Sequence, residues 1–330
     1  MRKGHLFAAG MSLCLGLSVE AAERYARLAH TYSIVARDPE TGEIGGAVQS
    51  HWFSVGSAVL WAEAGVGAVA TQSFTEPSYG PLGLALMRTG RSAQQALAGL
   101  LAADPDAAVR QVAMIAAAGK AAAHTGARCI AEAGQHVGEN YSAQANLMLK
   151  PTVWDAMARA FESSSGDLAE RLMAALEAAE REGGDIRGRQ SAALLVVSGA
   201  PSGQPWADRR FDLRVEDHPE PLVELRRLLG VARAYQHMNE GDEAATEGDM
   251  ERASRAYGAA AALVPDNPEM VYWNAVALAS SDRLEEALPL FRKAFAADPN
   301  WAILTPRLPA ADLLPDDPAL LQQILAEAQR

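Results

Sequence analysis

The sequence predicts an α+β domain that ends near Glu216, followed by an all-helical tail. Two patterns carry this expectation. Short runs rich in β-formers, bounded by Gly, Pro and Asp, fall in blocks between Thr31 and Val215, and the last hundred or so residues match themselves at a fixed offset. Blocks of strands separated by paired helices suggest two sheets, or one large sheet sandwiched by helices, and not a doubly wound parallel sheet.

The chain opens with Arg2, Lys3 and His5, then an apolar run of 14 residues from Leu6 to Val19, then Val19-Glu20-Ala21. This is the form of a signal peptide over residues 1–21, which directs export to a periplasm or the medium. The run falls short of the roughly 20 residues a membrane helix needs, and every later hydrophobic run is broken by Gly, Pro or charge, so no membrane span is expected. Removal of Cys14 with that segment leaves Cys129 as a lone thiol.

Thr31 to Arg37 and Ile44 to Ser50 read as a hairpin across Asp38-Pro39-Glu40-Thr41-Gly42. Ser54 to Leu60 and Val66 to Gln72 repeat the arrangement, so four strands are expected before any helix. Helices follow at Gly83 to Arg88 and Ser92 to Ala102, the second opened by a capping Ser. Val109 to Ala116 and Ala121 to Thr125 read as strands, Val153 to Phe161 and Asp167 to Arg181 as amphipathic helices, and Ser191 to Val197 and Phe211 to Val215 as strands.

In the tail, residues 217–330, Ala253 pairs with Ala287, Tyr257 with Phe291, Ala260 with Ala294 and Pro265 with Pro299, each 34 residues apart, which is the tetratricopeptide period. Small Ala residues let paired helices approach, the aromatic fills the space between them, and Pro stops the second helix. The repeat covers about 242–300, with Trp273 and Asn274 expected to open a helix and with flanking helices at Pro219 to Met238 and Pro318 to Gln329. Two repeats are a short array, so the expected role is binding a peptide or partner, or structural support.

Composition excludes some functions. With 41 acidic against 29 basic residues and a net charge of −12, the chain has no basic stripe for a phosphate backbone, so nucleic acid is not an expected partner. No Gly-rich phosphate loop or dinucleotide fingerprint occurs, and no cofactor is expected. His51, His124 and His136 lack ligand spacing and no Cys pair supports zinc, so no metal is expected either. A serine triad lacks its Gly-x-Ser-x-Gly elbow.

Polar residues nonetheless collect at strand ends: Gln49-Ser50-His51, Thr71-Gln72-Ser73, His124-Thr125-Gly126, Gln144-Ala145-Asn146 and residues 183–191. Strand ends on one side of a sheet converge, so these suggest a single polar pocket. The remaining option among familiar hydrolytic chemistries is an N-terminal nucleophile, whose own α-amine, with a pKa near 8, takes the proton.

Residues 31–42, 47–53 and 62–72, Pro77-Ser78-Tyr79-Gly80-Pro81 and Arg187-Gly188-Arg189-Gln190-Ser191-Ala192 together resemble the domain-of-unknown-function family numbered 1028 over Thr31 to Glu216. The resemblance implies an Ntn-hydrolase-like, four-layer αββα sandwich with Thr31 as nucleophile. It also implies an extension beginning like Asp217-His218-Pro219 that is described as peptidoglycan-binding. Signal cleavage after Ala21 would leave Ala22 to His30 ahead of Thr31, so catalysis requires a second cut between His30 and Thr31.

The expected function is then an exported amide-bond hydrolase. Thr31 attacks, Asn146 or Ser73 donates to the oxyanion, and Asp185 and Arg189 hold the surroundings. Ser50, His51, Gln72, Ser73, Tyr79, His124, Gln190 and Ser191 are the substrate-binding candidates. Expected partners are a small amide or peptide-like substrate and, through the tail, peptidoglycan or a protein, with a homo-oligomer left open. The alternative is a noncatalytic envelope protein that uses the pocket or tail to bind a peptide, glycan or partner.

Overall fold

The computed structural model describes residues 28–329, and the expected signal segment, residues 1–21, lies outside them. Packing divides the chain into one compact unit ending at Leu225 and another beginning at Arg226.

In chain order the first unit contains β1 (Leu28–Ala29), β2 (Thr31–Arg37), β3 (Ile44–Ser50), α1 (Gly56–Val59), β4 (Leu60–Glu63), β5 (Gly67–Phe74), α2 (Tyr79–Arg88) and α3 (Ala93–Ala103). It continues with β6 (Arg110–Ala116), β7 (Ala121–Thr125), β8 (Gly134–Gly138), β9 (Tyr141–Ala145), α4 (Val153–Ser163), α5 (Leu168–Glu182), β10 (Ser191–Val197) and β11 (Arg209–Val215). The described strands form two antiparallel sheets. One runs β11-β10-β3-β2-β9-β8, and the other runs β1-β5-β6-β7 with β4 also paired to β5.

Both faces of β2 and β3 are buried, which is why their sequences lack polar alternation. On one face Val35 and Val48 pack with Ala68, Ala70, Ala113 and Ile115 of the other sheet. On the opposite face Tyr32 reaches Glu180 of α5, its hydroxyl donating at 2.6 Å. Helices α2 and α3 pack on Val69, Val112 and Met114 through Leu84, Met87, Ala96 and Leu97. Ser92 and Gln95 form a capping box that starts α3, and Asp167 caps α5.

Residues 54–59 of the strand expected at Ser54 to Leu60 are not a strand. Ser191 Oγ accepts the backbone N–H of Val55 at 3.1 Å, and Gly56, where a Cβ would fall 2.4 Å from that of Ala193, lies flush on β10, so the chain makes the single turn α1 before β4. The hairpin of β8 and β9 is not among the expected strands, although Gln144-Ala145-Asn146 is expected at a strand end. Its Gly, Gln and Ala residues have little β-propensity, and β9 is held by pairing with β2.

The second unit takes most of α6 (Pro221–Thr246), then α7 (Met250–Leu263), α8 (Pro268–Ser280), α9 (Leu284–Ala297), α10 (Asn300–Leu304) and α11 (Pro318–Ala326). The residues matched at the 34-residue offset occupy equivalent buried places on α7 and α9: Ala253 with Ala287, Tyr257 with Phe291, Ala260 with Ala294. Gly241 is where the Tyr257 ring lands, and a Cβ there would lie 2.4 Å from it. Trp273 and Asn274 lie inside α8, which Asn267 caps and Pro268 begins, so they do not open that helix.

Candidate functional site

Register brings the site together. Thr31 lies opposite Ser50, and Ser50 opposite Ser191, so these three share one face of the larger sheet. The other sheet sets Gln72 opposite Gln111. All five are completely buried, as are Ser33, Gln144 and Asn146. A buried polar atom without a partner costs about 1–3 kcal/mol, so this seam between the sheets is tenable only if its bonds are made.

They are made, and in one consistent direction. Ser142 Oγ donates to Gln144 Oε1 (3.0 Å), Gln144 Nε2 to Ser33 Oγ (2.6 Å), and Ser33 Oγ to Gln72 Oε1 (2.6 Å). Gln72 Nε2 donates to Gln111 Oε1 (2.7 Å) and to the Thr31 carbonyl (3.2 Å). Asn146 Nδ2 also donates to Gln111 Oε1, at 2.9 Å. With that amide nitrogen committed, Asn146 Oδ1 is an acceptor, so His30 Nδ1 carries the proton it donates at 2.8 Å.

The peptide preceding Thr31 is held from several sides. The His30 carbonyl accepts from Ser50 Oγ at 2.6 Å and from Arg187 Nη2 at 2.8 Å. Arg187 is anchored by Asp185, whose Oδ1 accepts Nε at 3.0 Å and whose Oδ2 accepts Nη2 at 2.6 Å. Gly183 at φ +121° and Gly188 at φ +109° allow the loop between α5 and β10 to turn tightly enough for this pair. Burial holds the His30 pKa below 6.5, with Arg187 acting in the same direction and the Asn146 hydrogen bond opposing both. The Thr31 hydroxyl donates to the Ala29 carbonyl at 2.8 Å.

The structure thus brings together Thr31, Ser50, Gln72 and Asn146, with Asp185 one side chain removed. Ser191 is on the same face but is bound to Trp52 O and Val55 N. Ser73 takes a left-handed φ of +71° beside the Cys129 thiol, whose pKa burial raises and the Ser73 hydroxyl partly lowers.

Arg189 is not in the cluster: it turns outward to Glu180 and Glu220, and Arg187 occupies the position expected of it. Gln190 faces Asp217, and His51 is exposed with its ring toward Arg189 O. His124 bonds Ala107 O, and His136 pairs with Asp155. Tyr79 donates to Asp104, which also holds Arg110, itself donating to Phe74 O. Among the described residues no three His, Cys, Asp or Glu side chains stand close enough to share a metal ion.

His30, Ser33, Gln111, Gln144 and Arg187 were not singled out as site residues in the sequence reading. Only Gln144 and Arg187 lay in polar segments that it marked. A cavity of about 390 Å³ borders this seam, lined by Thr125, Gly126, Cys129, Glu132, Gly134 and Gln135. Gln111 Nε2 connects the two, donating to Thr125 Oγ1 at 2.8 Å and to Gly134 O at 3.1 Å.

A family of unknown function, DUF1028, matches residues 31–225. The crystal structure of a protein from Silicibacter pomeroyi described under the same family is similar at 33% sequence identity and a TM-score of 0.56, covering 66% of this chain and 92% of that one. Comparison with curated proteins gave no match.

Proposed function

The chain belongs to the DUF1028 family, and we propose that it is an exported amide-bond hydrolase of the N-terminal-nucleophile type, with Thr31 freed by cleavage after His30. What supports this reading is the His30 carbonyl. A buried carbonyl is satisfied by one neutral donor, whereas two converging donors, one of them a cation, match the charge of a tetrahedral oxyanion. They converge on the carbonyl that must be attacked for Thr31 to become N-terminal.

In the maturation step the Thr31 hydroxyl oxygen adds to the His30 carbonyl carbon, the carbon–nitrogen bond breaks, and the Thr31 nitrogen takes the proton. Water then splits the resulting ester into a His30 carboxylate and a Thr31 carrying free hydroxyl and amine. In turnover that amine takes the hydroxyl proton as Thr31 adds to the substrate carbonyl, and passes it to the leaving nitrogen. Water, deprotonated by the same amine, then splits the acyl ester on Thr31 to release the acid and restore the hydroxyl. Ser50 and Arg187 stabilise the oxyanion, Asp185 fixes Arg187, and Gln72 and Asn146 fix the Thr31 carbonyl.

Two sheets with helices packed on their outer faces support an Ntn-like αββα assignment, and the 34-residue helix pairs support a tetratricopeptide-like tail that takes a peptide, glycan or protein partner. The competing reading, a noncatalytic envelope binding protein, draws on the enclosed Thr31 hydroxyl, which is engaged by Ala29 in the uncut chain. Intact-mass analysis of purified protein separates the two. A chain beginning at Thr31, with Thr31→Ala left uncut, supports the hydrolase; a wild-type chain that keeps His30 sinks it.

A further inference from the structure

Resting on that reading, we propose that residues 28–30 occupy the acyl side of the substrate cleft, so that the substrate is an extended peptide with an imidazole-bearing or similar donor ring just before the cleaved amide. The argument comes from how this segment is bound. β1 adds to the edge of β5 as a strand, Leu28 opposite Phe74 and Ala29 opposite Ser73. The His30 ring meets Phe74 edge to face, with centroids 5.6 Å apart and planes at 88°, and its Nδ1–H donates to Asn146. Its carbonyl lies between Ser50 and Arg187. His30 is only 3% exposed.

Each of these contacts survives the cut as a property of the enzyme. When residues before Thr31 leave, the Ser73–Phe74 edge loses its strand partner, Asn146 Oδ1 loses a donor, and the oxyanion donors lose their carbonyl. An edge strand with open backbone groups takes up an extended peptide by the same ladder. A substrate that forms its tetrahedral intermediate on Thr31 must bring its carbonyl oxygen to Ser50 and Arg187. Its preceding residues then have the path already taken by Ala29 and Leu28.

Side-chain preference follows from the His30 surroundings. A neutral imidazole fills the ring contact and supplies the donor. Phe keeps the ring contact but leaves the buried Asn146 oxygen unmet, and Lys brings a second cation toward Arg187, which already lowers the imidazole's proton affinity. The expected order is His above Phe, Phe above Ala, and Lys last.

The test uses full-length protein whose mass places Thr31 at the N-terminus. It is assayed on fluorogenic amides of Leu-Ala-His, Leu-Ala-Phe, Leu-Ala-Ala, Leu-Ala-Lys and acetyl-His. We expect kcat/KM for Leu-Ala-His about tenfold above Leu-Ala-Phe, a larger loss for Leu-Ala-Lys, and about tenfold above acetyl-His because the strand contact is missing. Phe74→Leu keeps apolar volume, and in it the His preference should shrink while the length dependence stays. Turnover that depends on Thr31 but is indifferent to residue and length overturns the cleft assignment and leaves the hydrolase reading intact. A protein that never loses His30 and turns over none of the five amides overturns both.

Discussion

The seam between the two sheets and the core of the helical tail are both fully buried, yet they are built from opposite materials. In the seam, Thr31, Ser33, Gln72, Gln111, Gln144 and Asn146 fill space that apolar residues would fill more simply. In the tail, Tyr257 and Phe291 pack on Ala253, Ala260, Ala287 and Ala294, and the helices close on volume alone. Burying polar groups gives little net stability, because their bonds replace equally good bonds to water. On the proposed reading, the polar groups gathered around the peptide bond before Thr31 hold atoms for chemistry. The tail's core stores stability and holds nothing in that sense.

Substitutions separate these roles. The largest effect is expected at Arg187: Arg187→Met removes the cationic donor and should slow cleavage at His30–Thr31, read by mass spectrometry over time, by about 100-fold or more. If Arg187→Met matures at the wild-type rate, the seam is not a reaction centre. Phe291→Ala in the tail should cost about 3–5 kcal/mol in the unfolding of that unit by denaturant, with the cleavage rate unchanged. A parallel loss of cleavage would show that the two regions are not independent.

A smaller effect is expected from pH. Because the folded His30 pKa is lowered, the released segment binds a proton more readily than the docked one between that lowered value and 6.5. Docking of residues 28–30 is therefore fully present above about pH 6.5 and weakens as pH falls through this window. Hydrogen exchange at these amides in uncut Thr31→Ala protein, corrected for intrinsic rates, should rise on acidification, and His30→Phe should flatten the trend. The smallest change is expected at Arg189, whose partners are solvent-accessible: Arg189→Ala should move stability by no more than about 1 kcal/mol and leave cleavage unchanged.

The strands at Thr31–Arg37, Ile44–Ser50, Ala121–Thr125 and Ser191–Val197 were legible to the residue, because β-branched and small apolar runs ending at turn residues constrain both ends. The hairpin at 134–145 was not, since its stability comes from a neighbour distant in sequence. At the site, the strand ends point to Ser50, Gln72 and Asn146, and the family resemblance points to Thr31, but His124 and Gln190 from the same strand ends and Tyr79 from the resemblance serve other contacts. Gln111 was missed because a lone Gln inside an apolar strand carries no local signal of the face it takes.

Sequence alone determined most of the strands and helices and the 34-residue match in the tail. These follow from periodicity and residue type, which are local properties of a chain. Only the tertiary structure decided that Arg187 rather than Arg189 reaches the bond before Thr31. It also decided that Ser50 is the second donor to the same oxygen and that residues 28–30 lie along β5. Those outcomes depend on register, on the turn allowed by Gly183 and Gly188, and on two sheets meeting face to face, and no local pattern encodes the distance between atoms more than a hundred residues apart.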